Sequence, residues 1–317
     1  MTSYVIRRLL IGVVVLLLVS VLIFSLMHLL KGDPLVLYVG GRYSSFDKEQ
    51  LVALSHKFGL DRPLVVQYFS WMNGLLHGDL GESIIFQQKV STMVARALPV
   101  TFNLGVIAFI VSAIFGITFG VICAVRRGKW ADTLFSVIAN LGITLPVFWV
   151  GILLIYLLSL KLDLLPTYGY TSPFTDLWLN IKMLIMPVFC LSVFPIAALT
   201  RQTRSSMLEV TGQDYIRTAW AKGLRERVIV IRHMIKNGLI PVVTTMGVQV
   251  SFMFGGAVLV EIVFNIPGMG RMIMRAVMAR DYQVVQAGVL IIAVVTVLTN
   301  IIVDIAYAWI DPRIRYA

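Results

Sequence analysis

The amino-acid sequence predicts an all-α integral membrane protein with six transmembrane helices, on the strength of three observations. Of its 317 residues, 58% are hydrophobic and 14% are charged, which lies outside the range of ordinary soluble domains. Apolar runs free of Asp, Glu, Lys and Arg recur at about the 20-residue length that a helix needs to cross a bilayer. Basic residues also collect in alternate connections, as they do when one set of loops faces the cytoplasm. The net charge of +11 follows from such a surface, so nucleic acid is not an expected partner. Cys123 and Cys190 each lie inside an apolar run, spaced for neither a disulfide framework nor a metal site. They read as packing residues.

The first run, 9–30, follows Arg7 and Arg8. It is too long for a signal peptide and lacks a small-residue cleavage site, so a retained helix is expected. Runs 97–125, 133–160, 238–260 and 282–303 follow the same rule. Run 183–200 is shorter but is bracketed by Lys182 and Arg201. Six crossings place both termini on one side. With the N-terminus inside, segments 1–8, 126–132, 201–237 and 304–317 hold 15 Lys and Arg, against 5 in 161–182 and 261–283. Both termini are therefore expected in the cytoplasm. Segment 31–97, too long to count in that rule, is expected outside as a small helical subdomain. Asp47 and Gln50 are spaced as an N-cap pair, with Phe46 and Leu51 as a staple, and Gly59 stops that helix. Asp61 then caps a second helix with an apolar stripe of Leu64, Val65, Tyr68, Phe69, Met72 and Leu76. Such a subdomain either hugs the membrane or serves as a docking surface or lid.

Several functions are disfavoured. The middle of every run lacks Asp, Glu, Lys and Arg, where an ion-coupled carrier usually needs them; His28 and Asp304 sit near run ends, as interfacial residues do. No phosphate-wrapping glycine loop is present, and four scattered His give nucleophilic or metal catalysis little to work with. An enzyme is not expected, and if the protein transports, its energy comes from elsewhere; a secondary carrier or a non-transporting membrane scaffold stays open.

The least membrane-like stretch is "DYIRTAWAKGLRERVIVIRHMIKNGLIP", 214–241. On a helix from Asp214 to Arg225, Tyr215, Ile216, Ala219, Trp220, Gly223 and Leu224 fall on one half of the circumference. Asp214, Arg217, Thr218, Ala221, Lys222 and Arg225 fall on the other. About 11 residues make a marginal helix alone in water, so the apolar half needs a surface, either lipid or a partner's groove. Gly223 on that half implies a close backbone approach or a sharp turn.

This stretch resembles the cytoplasmic EAA loop of ABC importer permeases, of general form Glu-Ala-Ala, three residues, Gly, nine residues, Ile-x-Leu-Pro. Arg217-Thr218-Ala219 stand at the first three positions and Gly223 at the glycine. His233, Ile235 and Lys236 depart from the closing positions, and the proline comes later, at Pro241. "DYIRTAWAKGL", "KGDP" (31–34), "FGLDRPLVVQY" (58–68), "GDLGES" (78–83), "LLPTYGY" (164–170), "EIVFNIPGMGRM" (261–272), "RDYQVVQA" (280–287) and "DPRIRY" (311–316) are together similar to the dipeptide/oligopeptide/nickel branch, over essentially the whole chain.

The resemblance implies a type I ABC importer transmembrane fold with an extra N-terminal helix and a helical extracytoplasmic subdomain. Its segments would be 1–30, 31–97, a permease core 98–310 containing the loop 201–237, and a cytoplasmic tail 311–317. It implies half of a pore for peptides, nickel chelates or glutathione-like solutes, in a bacterial or archaeal inner membrane. A second permease, two ATPases carrying ATP and Mg, and an extracytoplasmic binding protein would be its partners, and the chain itself would bind no cofactor. Asp214, Tyr215, Ile216, Arg217, Ala219, Trp220, Lys222, Gly223 and Leu224 would form the helix that couples to an ATPase. Among polar residues of the runs, Asn103, Asn140, Thr144, Gln249 and Ser251 either line a water-filled path or make interhelical hydrogen bonds. Pro146, Pro187 and Pro195 are expected to kink their helices. Pro267, Gly268 and Gly270 interrupt a helix near the outer mouth, as a re-entrant turn or gate would, and Asn265 beside them is a gate candidate.

Overall fold

The structure, a computed structural model, describes residues 2–29, 52–53, 55–56, 59, 61–83 and 85–310. Its main helices are α1 (Thr2–Leu29), α2 (Leu64–Leu76), α3 (Val90–Val125) and α4 (Trp130–Thr144). Next come α5 (Val147–Leu154), which widens into a π-helical stretch Ile155–Lys161, then α6 (Leu177–Thr211) and α7 (Asp214–Ala221). The chain ends in α8 (Glu226–Gly238), α9 (Ile240–Val263), α10 (Met269–Ala279) and α11 (Tyr282–Ile310). Helices α1, α3, α6 and α11 are each long and apolar enough to cross a membrane. The bent pairs α4–α5 and α8–α9 bring the crossings to six if each pair counts once. Helices satisfy their backbone groups internally, which lipid demands.

Three crossings differ from the expected runs. Residues 133–160 do not form one helix: α4 and α5 meet at 105°. Pro146 disfavours the α conformation at Leu145, which turns extended with ψ 129° and ends α4. Pro187 and Pro195, in contrast, lie inside one uninterrupted α6. That helix starts from an N-cap at Asp176, whose side chain accepts from the Leu179 N–H, and continues past both Lys182 and Arg201 to Thr211. Helix α3 begins at Val90, within the segment expected to lie outside the bilayer.

The centre of the fold is the seam between α3 and α6. Ala108, Ser112, Gly116, Gly120 and Ala124 repeat every four residues along α3, and all are buried. A Cβ on Gly116 would stand 2.6 Å from Leu199 Cβ, and one on Gly120 would stand 2.7 Å from the Thr200 carbonyl oxygen. The hydroxyl of Ser192 donates to the Ala108 carbonyl at 3.1 Å. Small residues let the two backbones close up, which is how helices gain packing energy in lipid. Both cysteines are buried and unbridged, in keeping with packing roles.

Helix α1 flanks α11, where Gly12 meets Val297, and α2 leans on its far end. The expected stripe of α2 is only in part its covered face, Tyr68 and Met72 alone being half-buried among its six residues. Leu64, Val65, Phe69 and Leu76 are exposed, while Gln67, Tyr68 and Trp71 turn toward α1. The Tyr68 hydroxyl lies 2.9 Å from Ser20 Oγ, and Trp71 stacks on Phe24. His28 completes the contact, its Nδ1 2.8 Å from the Phe24 carbonyl and its Nε2 3.3 Å from Gln67. Polar and aromatic partners on α1 decide the face that α2 presents. Asp61 caps nothing: it pairs with His56 at 3.2 Å, and Pro63 precedes α2 without a side-chain cap. Gly59 does turn left-handed, with φ +66°. Phe46, Asp47, Gln50 and Leu51 lie outside the described residues.

Candidate functional site

Helix α7 is shorter than the segment laid out from Asp214 to Arg225, because the helix stops at Ala221. Gly223 takes φ +72°, its N–H donates to the Trp220 carbonyl at 2.9 Å, and the Leu224 N–H reaches back to Ala219 at 3.3 Å. This is the left-handed glycine stop of a helix. Nothing lies within 4 Å of a Cβ built on Gly223, so of the two reasons for a glycine there, the turn holds and the close approach does not. Asp214 in the first turn suits the positive end of the helix dipole and lies 3.6 Å from Arg217.

The apolar half of α7 is divided. Ile216 and Ala219 are buried within the protein itself, in a cluster with Ala124, Met207, Ile229 and Met234. That cluster joins the ends of α3 and α6 to α8. Tyr215, Trp220 and Leu224 stay about 40% exposed, beside the exposed Arg217, Lys222 and Arg225. So α7 is fastened by one edge and presents an aromatic, basic edge outward.

Just above it, Arg204 of α6 grips Asp132 of α4 through two bonds, Nε to Oδ1 at 2.7 Å and Nη2 to Oδ2 at 2.9 Å. The Gly128 N–H adds a third at 3.0 Å. Together they lock the α3–α4 turn to α6. The pair is not visible in the sequence, since its members lie 72 positions apart; Asp132 bordering an apolar run is the one available signal.

At the opposite end of the bundle, the turn 264–268 is built around Glu261, which is fully buried. Thr101 of α3 donates to its Oε1 at 2.6 Å, and the Arg271 N–H donates to Oε2 at 2.9 Å. The Met269 N–H donates in turn to Thr101 Oγ1 at 2.8 Å. Two first-turn amides of α10 are thereby satisfied from a neighbouring helix. Gly268 is required because a Cβ there would collide with the Glu261 carboxylate. Asn265 is left-handed, φ +53°, and its carbonyl accepts from Arg271 Nη1 at 2.9 Å. Burial, and then the neighbouring Arg275, pull the Arg271 pKa down, against the opposing charge of Glu261. Glu261 and Thr101 were not singled out from sequence; an acid at the end of an apolar run is the visible trace.

The other polar candidates are scattered. Asn103 Oδ1 on α3 and Gln249 Oε1 on α9 are buried without a hydrogen-bond partner among the described residues. Asn140 and Thr144 are exposed on α4, the latter donating to Leu141 at 3.0 Å. The side chain of Ser251 lies outside the described residues, as does that of Asp304. Pro267 is exposed and Gly268 buried in the turn. No described hydrogen bond joins these residues into one constellation.

Comparison with known proteins decides the family. The description "binding-protein-dependent transport system inner membrane component" matches residues 116–316, and its N-terminal counterpart matches residues 1–105. The chain belongs to this family of ABC transporter permeases. A putative peptide transport system permease protein of Brucella abortus is 41% identical over the full length of both chains. A dipeptide transport system permease of Alkalihalophilus pseudofirmus is 37% identical, and a glutathione transport system permease of Salmonella paratyphi A is 40% identical, each again over 100% of both chains. Among solved structures, a chain of the inward-facing MetNI methionine ABC transporter superposes with TM-score 0.58 at 15% identity, covering 70% of this chain and 97% of that one. That likeness shows the fold, the transmembrane architecture of type I ABC importers, to which this permease adds α1. The permease is a transport component, with ATP hydrolysis on separate subunits. Its family works with a partner permease, ATPases and a binding protein.

Proposed function

We propose that this permease forms half of the translocation path of an importer for peptides or a closely related small solute, glutathione or a nickel chelate included. A second permease completes the path, two cytoplasmic ATPases carrying ATP and Mg drive it, and a binding protein delivers cargo from outside. The relatives' names support the peptide class. The distribution of Lys and Arg supports an orientation with both termini and α7 in the cytoplasm, and α2 and α10 outside.

The observation that carries the mechanism is the split face of α7. Asp214, Tyr215, Ile216, Arg217, Ala219, Trp220, Lys222, Gly223 and Leu224 act together as the coupling element. Ile216 and Ala219 hold it to the ends of α3, α6 and α8, and Tyr215, Trp220 and Leu224 are free for a cleft on an ATPase. Arg217, Lys222 and Arg225 suit an acidic rim on that cleft. A push on α7 reaches the membrane through the Asp132–Arg204 clamp. Asn103 and Gln249, with oxygens short of donors, are candidates for a watered path. The turn at Asn265, Pro267 and Gly268 is a candidate gate that moves as one piece with α10.

The test uses the complete complex reconstituted in liposomes. Trp220→Glu and Gly223→Asp are each expected to leave membrane insertion intact while cutting peptide uptake per ATP hydrolysed by roughly tenfold or more. Uptake driven by an ion gradient, indifferent to nucleotide, would overturn the proposal.

A further inference from the structure

Helix α10 carries Arg271 and Arg275 four residues apart, hence on one face, and Arg96 of α3 comes alongside. The three guanidinium groups border two adjoining hollows of about 310 and 610 Å³; Phe86, Arg271 and Arg275 line both, and Arg96 lines the smaller. No Asp or Glu lines either hollow among the described residues. The acid whose charge does reach Arg271 is Glu261. Its carboxylate is spoken for, with one oxygen held by Thr101 and the other by a backbone amide. Three cations therefore border concave space that no Asp or Glu lines among the described residues, and Glu261, buried behind Arg271, partly offsets that one alone. Guanidinium forks bind carboxylates in pairs of parallel hydrogen bonds. The rest of the lining is soft: Met272 in the smaller hollow, Met274 and Met278 in the larger, with Met278 80% exposed. Unbranched thioethers adapt to side chains of varied shape, and the volumes fall in the range of small-molecule sites.

We propose that Arg96, Arg271 and Arg275 form a carboxylate-recognition site at the outer mouth of the permease. The site takes the C-terminal carboxylate of a short peptide, while Phe86 and the α10 methionines receive its variable side chains. This rests on the transport reading above. The charge balance favours it over an apolar cargo, which would leave three arginines facing dry surface. It also assigns a division of labour: the arginines hold the constant end of the cargo, and the methionines tolerate the variable one.

The experiment places the whole complex in nanodiscs of zwitterionic lipid, without binding protein, and measures binding of labelled alanyl-alanine. Arg96→Gln and Arg275→Gln, both at exposed positions, are expected to weaken binding by about tenfold each, and Arg275→Lys by less. Alanyl-alanine amide is expected to bind the unaltered complex about as weakly as the acid binds either Gln variant. Equal affinity for acid and amide, or unchanged affinity in the variants, overturns the inference. So does an effect of these variants seen only once binding protein is added in a second measurement, as a change in the concentration that half-saturates ATPase stimulation, which would make an acidic patch on that protein the occupant. Peptide uptake in liposomes separates the two readings. If the unaltered complex imports peptide without these differences, only the carboxylate site falls. If it imports no peptide, both fall.

Discussion

Glu261 and Gly223 show how much a single position can hold. The Glu261 carboxyl group has no solvent exposure and accepts from a hydroxyl of α3 and an amide of α10, so it closes three helices around one buried polar group. Replacing it with Ala leaves Thr101 Oγ1 and the Arg271 N–H without an acceptor, each costing about 1–3 kcal/mol. Glu261→Ala is therefore expected to lower the melting temperature of the detergent-purified complex by several degrees, with Glu261→Gln falling between it and the native protein. A melting curve unchanged by Glu261→Ala would contradict the network. Gly223 was legible from sequence as a position demanding something only glycine supplies; its left-handed stop settles which demand. Glu261 was not legible, because its meaning depends on Thr101, 160 residues away, and no local pattern reports a pairing of that span.

At the level of helices, the seam of α3 against α6 depends on side chains being absent. Gly120→Leu would force α3 away from the Thr200 carbonyl, and overpacking of that kind costs roughly 1–3 kcal/mol or more where backbone must move. Such a variant is expected to fall at least severalfold in membrane abundance, whereas Gly105→Ala, with nothing within 4 Å of its Cβ, should not. Immunoblots of isolated membranes would compare them. The apolar runs located the crossings, four unbroken helices and two bent pairs. They did not tell shape: α4–α5 is bent by 105°, although Leu145-Pro146 carried the mark of a break. The amphipathic layout of α7 was legible too, but which of its apolar residues face inward was not. Ile216 and Ala219 are claimed by the protein's own Met207 and Ile229, a tertiary choice that periodicity alone does not encode.

Across the whole molecule, six crossings and membership of the permease family were readable from composition and ordered motifs. The lining of the path was not, because on the proposed reading half of that surface belongs to another chain, and polar side chains in lipid also serve as glue between helices. One tie spans the fold. Asp281, fully buried at the start of α11, accepts from the Ser83 hydroxyl and from the Ile85 amide at 3.1 Å, so the loop before α3 is sewn to the last crossing. Asp281→Ala is expected to expose segment 81–89 to limited proteolysis without altering the Asp132–Arg204 end of the bundle; protection equal to the native protein would refute this. The two matched family segments meet near residues 105–116, in the middle of α3. A chain cut at that boundary would sever α3 and leave Ser83 and Asp281 on separate polypeptides, their hydrogen bond then made between chains. The N-terminal portion is thus tied into the bundle twice, by the unbroken α3 and by the bonds from Ser83 and Ile85 to Asp281.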